Sequence, residues 1–588
     1  MKSSKSIIEP YLKNQDWRVK ENSNSPFSFG GLNKYITSEV SKDYWLREVY
    51  DEDIAQAYVT SHVHIHDLGG LSSYCSGYSL LDILTKGVRG IPNVPTSAPA
   101  KHFDSVLNQI SNLLTIFQNE ILGAVALNSF DTLLSPFIKK DCLNYQQVKQ
   151  SMQNYIFSIN SNSRMGAEPA FSNLTFDLTP PNDLLDEYVV IGGELESFTY
   201  KSCQREMDML NKAFFEIMLE GDSENKLFAY PIPTYNIHKR FDWDNPNNKL
   251  LWELTGKFGT PYFANYINSD MNPEDTRSMC CRLRLDLTEL RKRNGGLFGA
   301  GDSTGSIGVV TINLPRIAYE NKGDRDSFYK ALDYYLEISK RSLDIKREWL
   351  NTNILETHAI PAFIEYVGSF KNYFSTIGVI GMNEMCQNFF GYETNIITEV
   401  GKRFAEEVGE YIRNKLIEFQ ERSECLFNYE ASPAESTSYR LALKDKKDYP
   451  DIITQGSGND CYYTNSCHIP VNMVEGIDST FKHQEKLQSQ FTGGTVIHCM
   501  MSGAISGDQA KSIVKQMFTN YSVPYMSISP ISRYCDEHGY IKEITDKCPV
   551  CKKKLKLYQR ITGYLRCIDN FNKGKKAEFK DRTQINIE

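Results

Sequence analysis

The stretch Arg560–Arg582 reads RITGYLRCIDNFNKGKKAEFKDR and comes just after a lysine-rich segment holding Cys535, His538, Cys548 and Cys551. Gly563 stands between a β-branched residue and an aromatic one, in a run with Leu555, Leu557, Tyr558, Ile561, Tyr564 and Leu565 that reads as buried. A lone glycine in such a run ordinarily supplies a turn with φ > 0 or lets two backbones approach closely. What sets this one apart is its company: the pattern RxxGYL, then NxGKxxEFxxR, directly behind a cluster of metal-ligand residue types.

Working outward, the chain has 588 residues with 41% hydrophobic content, enough for a large core. Lys and Arg number 65 against 73 Asp and Glu, a formal net charge of −8. That argues against non-specific duplex nucleic-acid binding, which needs basic surface. No apolar run reaches the length of a membrane span. The start, MKSSKSIIEPYLKNQDW, lacks the apolar centre of a signal peptide, so a cytoplasmic protein is expected. Fourteen cysteines are few for a disulfide scaffold of this size and read as metal ligands, catalytic thiols and small buried residues.

Residues 1–25 are polar and read as an extended arm. The segment HVHIHDL alternates and is β-branched, so it reads as a strand end that would put His62, His64 and His66 on one face. Such a face is either a hydrogen-bonded polar strand or a metal site; the ligand set and the outer partners a metal needs are not visible. Residues 101–160 and 205–220 read as amphipathic helices, FAYPIPTYNI (228–237) as a buried strand, and KFGTPYFANYINSDM as another. Adjacent Cys280 and Cys281 do not easily bridge each other, because neighbours point apart on an extended chain. The glycines of GGLFGAGDSTGSIG contain no P-loop, since no Gly-Lys-Ser/Thr follows, and read as a turn into a strand at Val309–Leu314. Long amphipathic helices are expected at 326–350 and 395–424, with a strand and helix between them in FSTIGVIGMNEMCQNFFGYE. In Ser432–Ser438, SPAESTS opens a helical pattern with capping residues and a helix-starting proline. A helix start with free N–H groups and small hydroxyls suits an anion. Cys535-x2-His538 and, nine residues on, Cys548-Pro-Val-Cys551 have the knuckle spacing of a tetrahedral zinc site. Zinc would fold this short segment and fix the Gly563 loop behind it.

Together these motifs resemble the anaerobic (class III) ribonucleoside-triphosphate reductases, in order, from about Asn22 to Arg582. The resemblance implies a ten-stranded α/β barrel of the ribonucleotide reductase and glycyl-radical enzyme type, built from two antiparallel half-sheets of parallel strands, with a small C-terminal zinc-binding domain. The division it implies is an arm at 1–25 without an ATP cone, a barrel with outer helices at 26–530, a zinc-binding domain at 531–556, and the glycyl-radical loop and tail at 557–588. Gly563 would store a radical generated with S-adenosylmethionine by a separate iron–sulfur activase, because only glycine gives an unhindered Cα radical between an amide donor and a carbonyl acceptor. The family's MxCR pattern selects Cys281 as the thiyl cysteine. IHDL followed by YCxGxxL implies that His64 and His66 line the substrate site and that Cys75 is a thiol beside the substrate. TPAES followed by an arginine implies phosphate binding by Ser436, Thr437 and Ser438, with Glu435 directed inward. YYTNSxHxPV matches a family strand containing Asn465, and FTGGTVIH another with His498 at its end. Cys535, His538, Cys548 and Cys551 would bind structural zinc; relatives usually carry four cysteines there. The implied partners are ribonucleoside triphosphates, nucleotide effectors, the activase, a formate or redoxin reductant, and a second copy of the chain, with no nucleic acid and no membrane.

The implied reaction passes the radical from Gly563 to Cys281. The thiyl then takes the 3′-hydrogen of the nucleotide, and the 2′-hydroxyl leaves as water with help from Cys75 and Glu435. Ser306 stands where many relatives carry Cys or Asn; serine lacks the amide N–H that would meet a formate carboxylate. Cys280, Cys386, Cys461 and Cys467 are the spare thiols for a dithiol route, and the donor inventory therefore leans toward a redoxin. The alternatives are another glycyl-radical enzyme, of formate-lyase or dehydratase type, and a non-catalytic zinc-dependent binding protein.

Overall fold

A computed structural model describes residues 3–13, 27–162, 168–269, 303–432 and 434–586, with backbone alone at 276–279 and 283–286. Cys280 and Cys281 lie outside the described residues, as do 14–25 of the expected arm.

The arm is helical where it is described. A helix spans Ser4–Leu12, with the Ser3 side chain accepting from the Ser6 N–H at its start. Tyr11 anchors its far end by stacking on Phe27 at 5.1 Å. The cap and the aromatic anchor supply what composition alone did not disclose, so the extended reading is corrected here.

Eleven strands matter for the site: β1 (Val63–Ile65), β2 (Cys75–Tyr78), β3 (Val125–Leu127), β4 (Ser172–Phe176), β5 (Ile232–His238), β6 (Tyr262–Tyr266), β7 (Gly305–Asn313), β8 (Tyr373–Ile380), β9 (Leu426–Glu430), β10 (Ile497–Met501) and β11 (Tyr525–Pro530). Ten of them pair in the order β9-β8-β7-β2-β3-β4-β5-β6-β11-β10. β2 through β6 run parallel to one another. So do β7, β8 and β9, and likewise β10 and β11. The two sets meet antiparallel at β7–β2 and β6–β11. A parallel bridge, Glu430 to Gly494 just before β10, joins the ends of the row. It is sealed by Gly493 N–H to Tyr429 C=O (2.7 Å) and Ala431 N–H to Gly494 C=O (2.9 Å). The result is a closed ten-stranded barrel of two five-stranded half-sheets, as the motifs implied.

Most strand positions are buried because both faces are covered, and the polar ones among them, such as Asn173, Thr311 and Asn428, are buried too. All nine residues of GSIGVVTIN in β7 and all eight of YFSTIGVI in β8 are buried. The side chains of β3 alternate: Val125 and Leu127 join the outer core with Phe103, Ile110, Leu114 and Phe117, while Ala124 and Ala126 cluster with Cys75, Phe374 and Leu426 on the other side. Each fully buried residue of the outer core stabilises by about 1.5–3 kcal/mol. The expected helices form at Phe103–Gln118, Phe130–Lys140, Tyr145–Ile159, Gln204–Glu220, Arg325–Leu350 and Glu399–Arg422. No described helix is long and apolar enough to cross a membrane.

Two strand expectations change. YYTNSCHIPV is not a strand beyond one bridge at Tyr462. Its backbone is satisfied by other elements: Thr464 C=O accepts from Gly381 N–H, Ser466 C=O from Met382 N–H, and Thr464 N–H donates to the Glu384 carboxylate at 3.0 Å. His498 is the second residue of β10 rather than the end of a strand.

Beyond β11 the chain builds a small antiparallel sheet from β12 (Ser532–Cys535), β13 (Gly539–Ile541), β14 (Lys556–Arg560) and β15 (Leu565–Cys567), ordered β13-β12-β14-β15. A boundary at 556/557 falls inside β14, so the ligand cluster and the glycine loop share one sheet. A last helix, Lys573–Asp581, closes the chain.

Candidate active site

β14 carries Arg560 in and β15 leads away, with the loop between them pinned by Ile561 N–H to Tyr564 C=O at 3.1 Å. Gly563 is buried and is not among the glycines at positive φ, so a left-handed turn does not explain it. Its carbonyl accepts from the Tyr262 hydroxyl on β6 and from Arg560 Nη1 at 3.2 Å. Arg560 also donates to the carbonyls of Gly259 and Thr260, and its guanidinium lies 4.0 Å from the Tyr262 ring centre. Arg582 braces the loop from behind, donating to the carbonyls of Arg560 (2.8 Å) and Ile561 (3.1 Å). Arg582 is itself held by Glu578, which also pairs with Lys575; all three are buried. Burial alone would raise the Glu578 carboxyl, but the two cations outweigh it and hold it below its ordinary value. Tyr564 donates to Glu435 Oε2 at 3.1 Å and accepts from Arg566, so Glu435 stands against the residue next to Gly563.

In the same half-sheet as Tyr262, Cys75 is buried in β2 and pairs in register with Ser306 of β7. Its Sγ accepts from Ala124 N–H at 3.4 Å. Gly123 makes room for it: a Cβ there would lie 2.7 Å from Sγ. The Ser306 hydroxyl is committed to the wall, donating to Gly308 C=O (3.1 Å) and bonding Thr376 Oγ1 (2.8 Å). Lys346, from the helix Arg325–Leu350, reaches this wall: a Cβ on Gly308 would meet its Nζ at 3.2 Å. Burial pushes the Lys346 ammonium down to about 8, against the pull of Asp67 and Cys75.

The three histidines of the β1 segment do not converge. His62 leaves for Glu320 (2.9 Å) and stacks on Tyr335. His64 Nδ1 faces Arg440 Nη1 at 3.0 Å, and His66 Nε2 faces Thr311 Oγ1 at 2.8 Å. The His64 and His66 rings sit edge-on at 4.6 Å. Burial, then the Lys346 and Arg440 cations, push His66 down to about 3; burial, His66 and Arg440 push His64 well down. Both are neutral near pH 7, and with separate partners in Arg440 and Thr311 they do not form a metal set with His62.

The SPAESTS helix begins at Ser436, with Glu435 as N-cap and no side-chain cap bond. The expected cap Ser432 instead accepts from Thr311 at 3.0 Å. Of the three hydroxyls expected at a phosphate, Ser438 is spent: it donates to Tyr463 C=O at 2.7 Å and accepts from its N–H. Thr437 is buried and Ser436 half-buried. Asn465 offers a buried Oδ1 without a hydrogen-bond partner among the described residues. Of the spare thiols, Cys386 donates to Gly401 C=O at 3.3 Å, Cys467 contacts Gln488 at 3.6 Å, and Cys461 sits in a separate apolar cluster. Burial raises all three, Cys461 to about 11. They are packing residues and do not form a dithiol pair with one another.

The fourfold cluster is built. The ligand atoms of Cys535, His538, Cys548 and Cys551 all lie within 4.8 Å of one another. Cys535 Sγ is 3.6 Å from His538 Nδ1 and 3.5 Å from Cys551 Sγ, and Cys548 Sγ is 3.6 Å from the same Nδ1. The Glu537 backbone N–H, then His538, hold the Cys535 thiol down, while burial and the neighbouring Cys535 push Cys551 up, so one thiolate of the pair is favoured over the other. Four soft and borderline donors at these separations suit a tetrahedral ion with bonds of about 2.0–2.3 Å.

Sequence reasoning missed Tyr262, Lys346 and Glu384. Glu384 is buried and accepts from Thr464 N–H and Oγ1 (2.7 Å) and from Gln455 (2.8 Å). None of the three stands in a motif that announces it.

A closed barrel of two opposed half-sheets, with a buried glycine loop held to its wall and a Cys/His cluster behind, defines a barrel enzyme of the ribonucleotide reductase and glycyl-radical type. The family model described as anaerobic ribonucleoside-triphosphate reductase matches residues 21–584. The chain belongs to that family, whose members are oxidoreductases that reduce ribonucleotides. The anaerobic ribonucleoside-triphosphate reductase of Escherichia coli is 24% identical over 93% of this chain and 80% of its own length. The enzyme of that name from Enterobacteria phage T4 is 22% identical over 96% and 97%. The crystal structure of the Thermotoga maritima anaerobic ribonucleotide reductase, with dATP in its specificity site, matches at TM-score 0.74 and 22% identity over 96% of this chain and 94% of that one, which shows the fold.

Proposed function

We propose that this chain reduces ribonucleoside triphosphates to 2′-deoxyribonucleoside triphosphates with a radical stored at Gly563 and passed to Cys281. The observation that carries the reading is the seating of Gly563: buried, with its carbonyl bonded to a barrel strand 301 residues away. A loop fixed to the barrel wall in this way can place a Cα radical beside a partner thiol and away from water. Hydrogen transfer from Cys281 breaks S–H and forms Cα–H, leaving the thiyl to take the 3′-hydrogen. Cys75 and Glu435 stand on two sides of the barrel as the proton-handling groups. His64, His66, Asn465, Ser436 and Thr437 contact the nucleotide, and the uncapped N–H groups at Ser436 suit its phosphates. Ser438 supports that helix start through Tyr463.

The metal is zinc, bound by Cys535, His538, Cys548 and Cys551. It would supply a rigid base for the shared sheet and no redox chemistry. The radical is made by a separate iron–sulfur activase using S-adenosylmethionine, nucleotides act as effectors, the chain works in the cytoplasm, and it pairs with a second copy. Formate and a redoxin remain as reductants. With Ser306 committed to the wall and three spare cysteines packed apart, neither gains from those residues. The test is anaerobic activation followed by CTP with each reductant alone: dCTP must form, and an electron paramagnetic resonance doublet must be lost in Gly563→Ala. No dCTP with either reductant, or a normal doublet in that variant, would overturn the reading.

A further inference from the structure

We propose that Tyr262, together with Arg560, sets how strongly the radical is held at Gly563, by donating hydrogen bonds to the glycine carbonyl. The inference rests on the reading that Gly563 carries the radical.

An electron left on a glycine Cα spreads between the amide nitrogen, which donates density, and the carbonyl, which accepts it. The carbonyl oxygen is therefore richer in electron density in the radical than in the closed-shell peptide. A donor placed on that oxygen binds the radical form more tightly, and does so most effectively in a buried site of low dielectric. Gly563 has two such donors, the Tyr262 hydroxyl and Arg560 Nη1. Both are fixed before any radical forms. The Tyr262 ring is fully buried, stacked on Tyr525 at 5.6 Å and under the Arg560 guanidinium at 4.0 Å. The Tyr525 hydroxyl is tied in turn to Thr234 Oγ1 at 2.6 Å. Arg560 is held by the carbonyls of Gly259 and Thr260, just before the strand that carries Tyr262.

The two donors differ in origin. Arg560 belongs to the glycine strand and travels with it, whereas Tyr262 belongs to the barrel. Seating the loop in the barrel therefore adds one donor to the carbonyl, and the radical is held most firmly when seated. Hydrogen exchange with the thiol, S–H broken and Cα–H formed, works against this preference. Tyr262 thus acts as a tuning residue for the radical's resting place.

The experiment uses the full chain, activated anaerobically with S-adenosylmethionine and a radical-generating activase, and reads the glycyl doublet. Tyr262→Phe is expected to shorten the radical's anoxic half-life by about two- to tenfold, the range spanned by one net hydrogen bond. It should also widen the α-proton splitting as spin returns to Cα. Replacing Tyr262 by mono- and difluorinated tyrosine, stronger donors of nearly the same shape, should narrow the splitting and lengthen the half-life in order of donor strength. That series decides the matter even if Tyr262→Phe folds poorly. Equal splitting and half-life across the series would overturn the inference while leaving Gly563 as the radical site. A wild-type chain without a doublet, or a doublet surviving in Gly563→Ala, would instead overturn the reading beneath it.

Discussion

At one end of the C-terminal sheet, Cys535 and Cys551 meet although sixteen residues separate them. At the other end, Gly563 is held by a tyrosine 301 residues upstream and braced by Arg582. The metal end draws all four ligands from its own short segment, on a sheet that packs against the barrel through Tyr534 and Tyr540. The glycine end has no fixed place until the barrel exists to receive it. β14 connects the two, so a local ligand cluster positions a loop whose final contacts are distant. The difference teaches that the short C-terminal segment is an adaptor between a knuckle with local ligands and a barrel wall.

The sharpest separation of the two ends is Gly563→Ala. It should abolish the doublet and turnover completely while metal content stays at that of the wild type, measured by atomic emission. Equal loss of metal would mean that the ends do not fold independently. Cys548→Ser works from the other side. It removes a fully buried ligand, and should lose the metal and cut radical yield at least tenfold, because the base of β14 is no longer fixed. Full metal occupancy in that variant would break the ligand assignment. Chelation of the wild type should reproduce its effect.

Arg582→Met comes next. It removes the brace behind the loop and one cation from a buried Lys575–Glu578–Arg582 set, at a cost of ~3 kcal/mol. The expected result is a melting temperature lower by a few degrees and a weaker doublet with metal unchanged. An unchanged doublet would show that Tyr262 and Arg560 seat the loop without it. The smallest effect is a control away from both ends. Burial lowers Lys346 to about 8 from an ordinary 10.5. Between those pH values the unfolded lysine keeps a proton that the folded one has released, so stability rises with pH across that window. The rise is at most about 3 kcal/mol. Lys346→Met should flatten it, read as melting temperature against pH, without changing metal content.

Much of this protein is decided by short-range chemistry and is legible in its residues. The Cys535-x2-His538 and Cys548-x2-Cys551 spacings predict the cluster, because a knuckle turns its ligands and backbone N–H groups toward one point. Apolar runs in β7 and β8 announce strands covered on both faces, and 3.6-residue periodicity announces the outer helices. The order of the motifs implied the barrel and the glycine loop. Other features were decided only by the tertiary structure. Three histidines at period two make a row and not a point, so each went to the partner its neighbourhood offered: Glu320, Arg440 and Thr311. YYTNSCHIPV has strand-like residues, yet its backbone groups found partners on helix ends and on Glu384, which removed the reason to join a sheet. Ser306 and Ser438 carry hydroxyls suited to a ligand, but nearer backbone groups claimed them. Tyr262 stands in no motif at all. Its meaning arises from barrel closure, which brings β6 against a loop near the far end of the chain, and no local pattern can encode a contact across that distance.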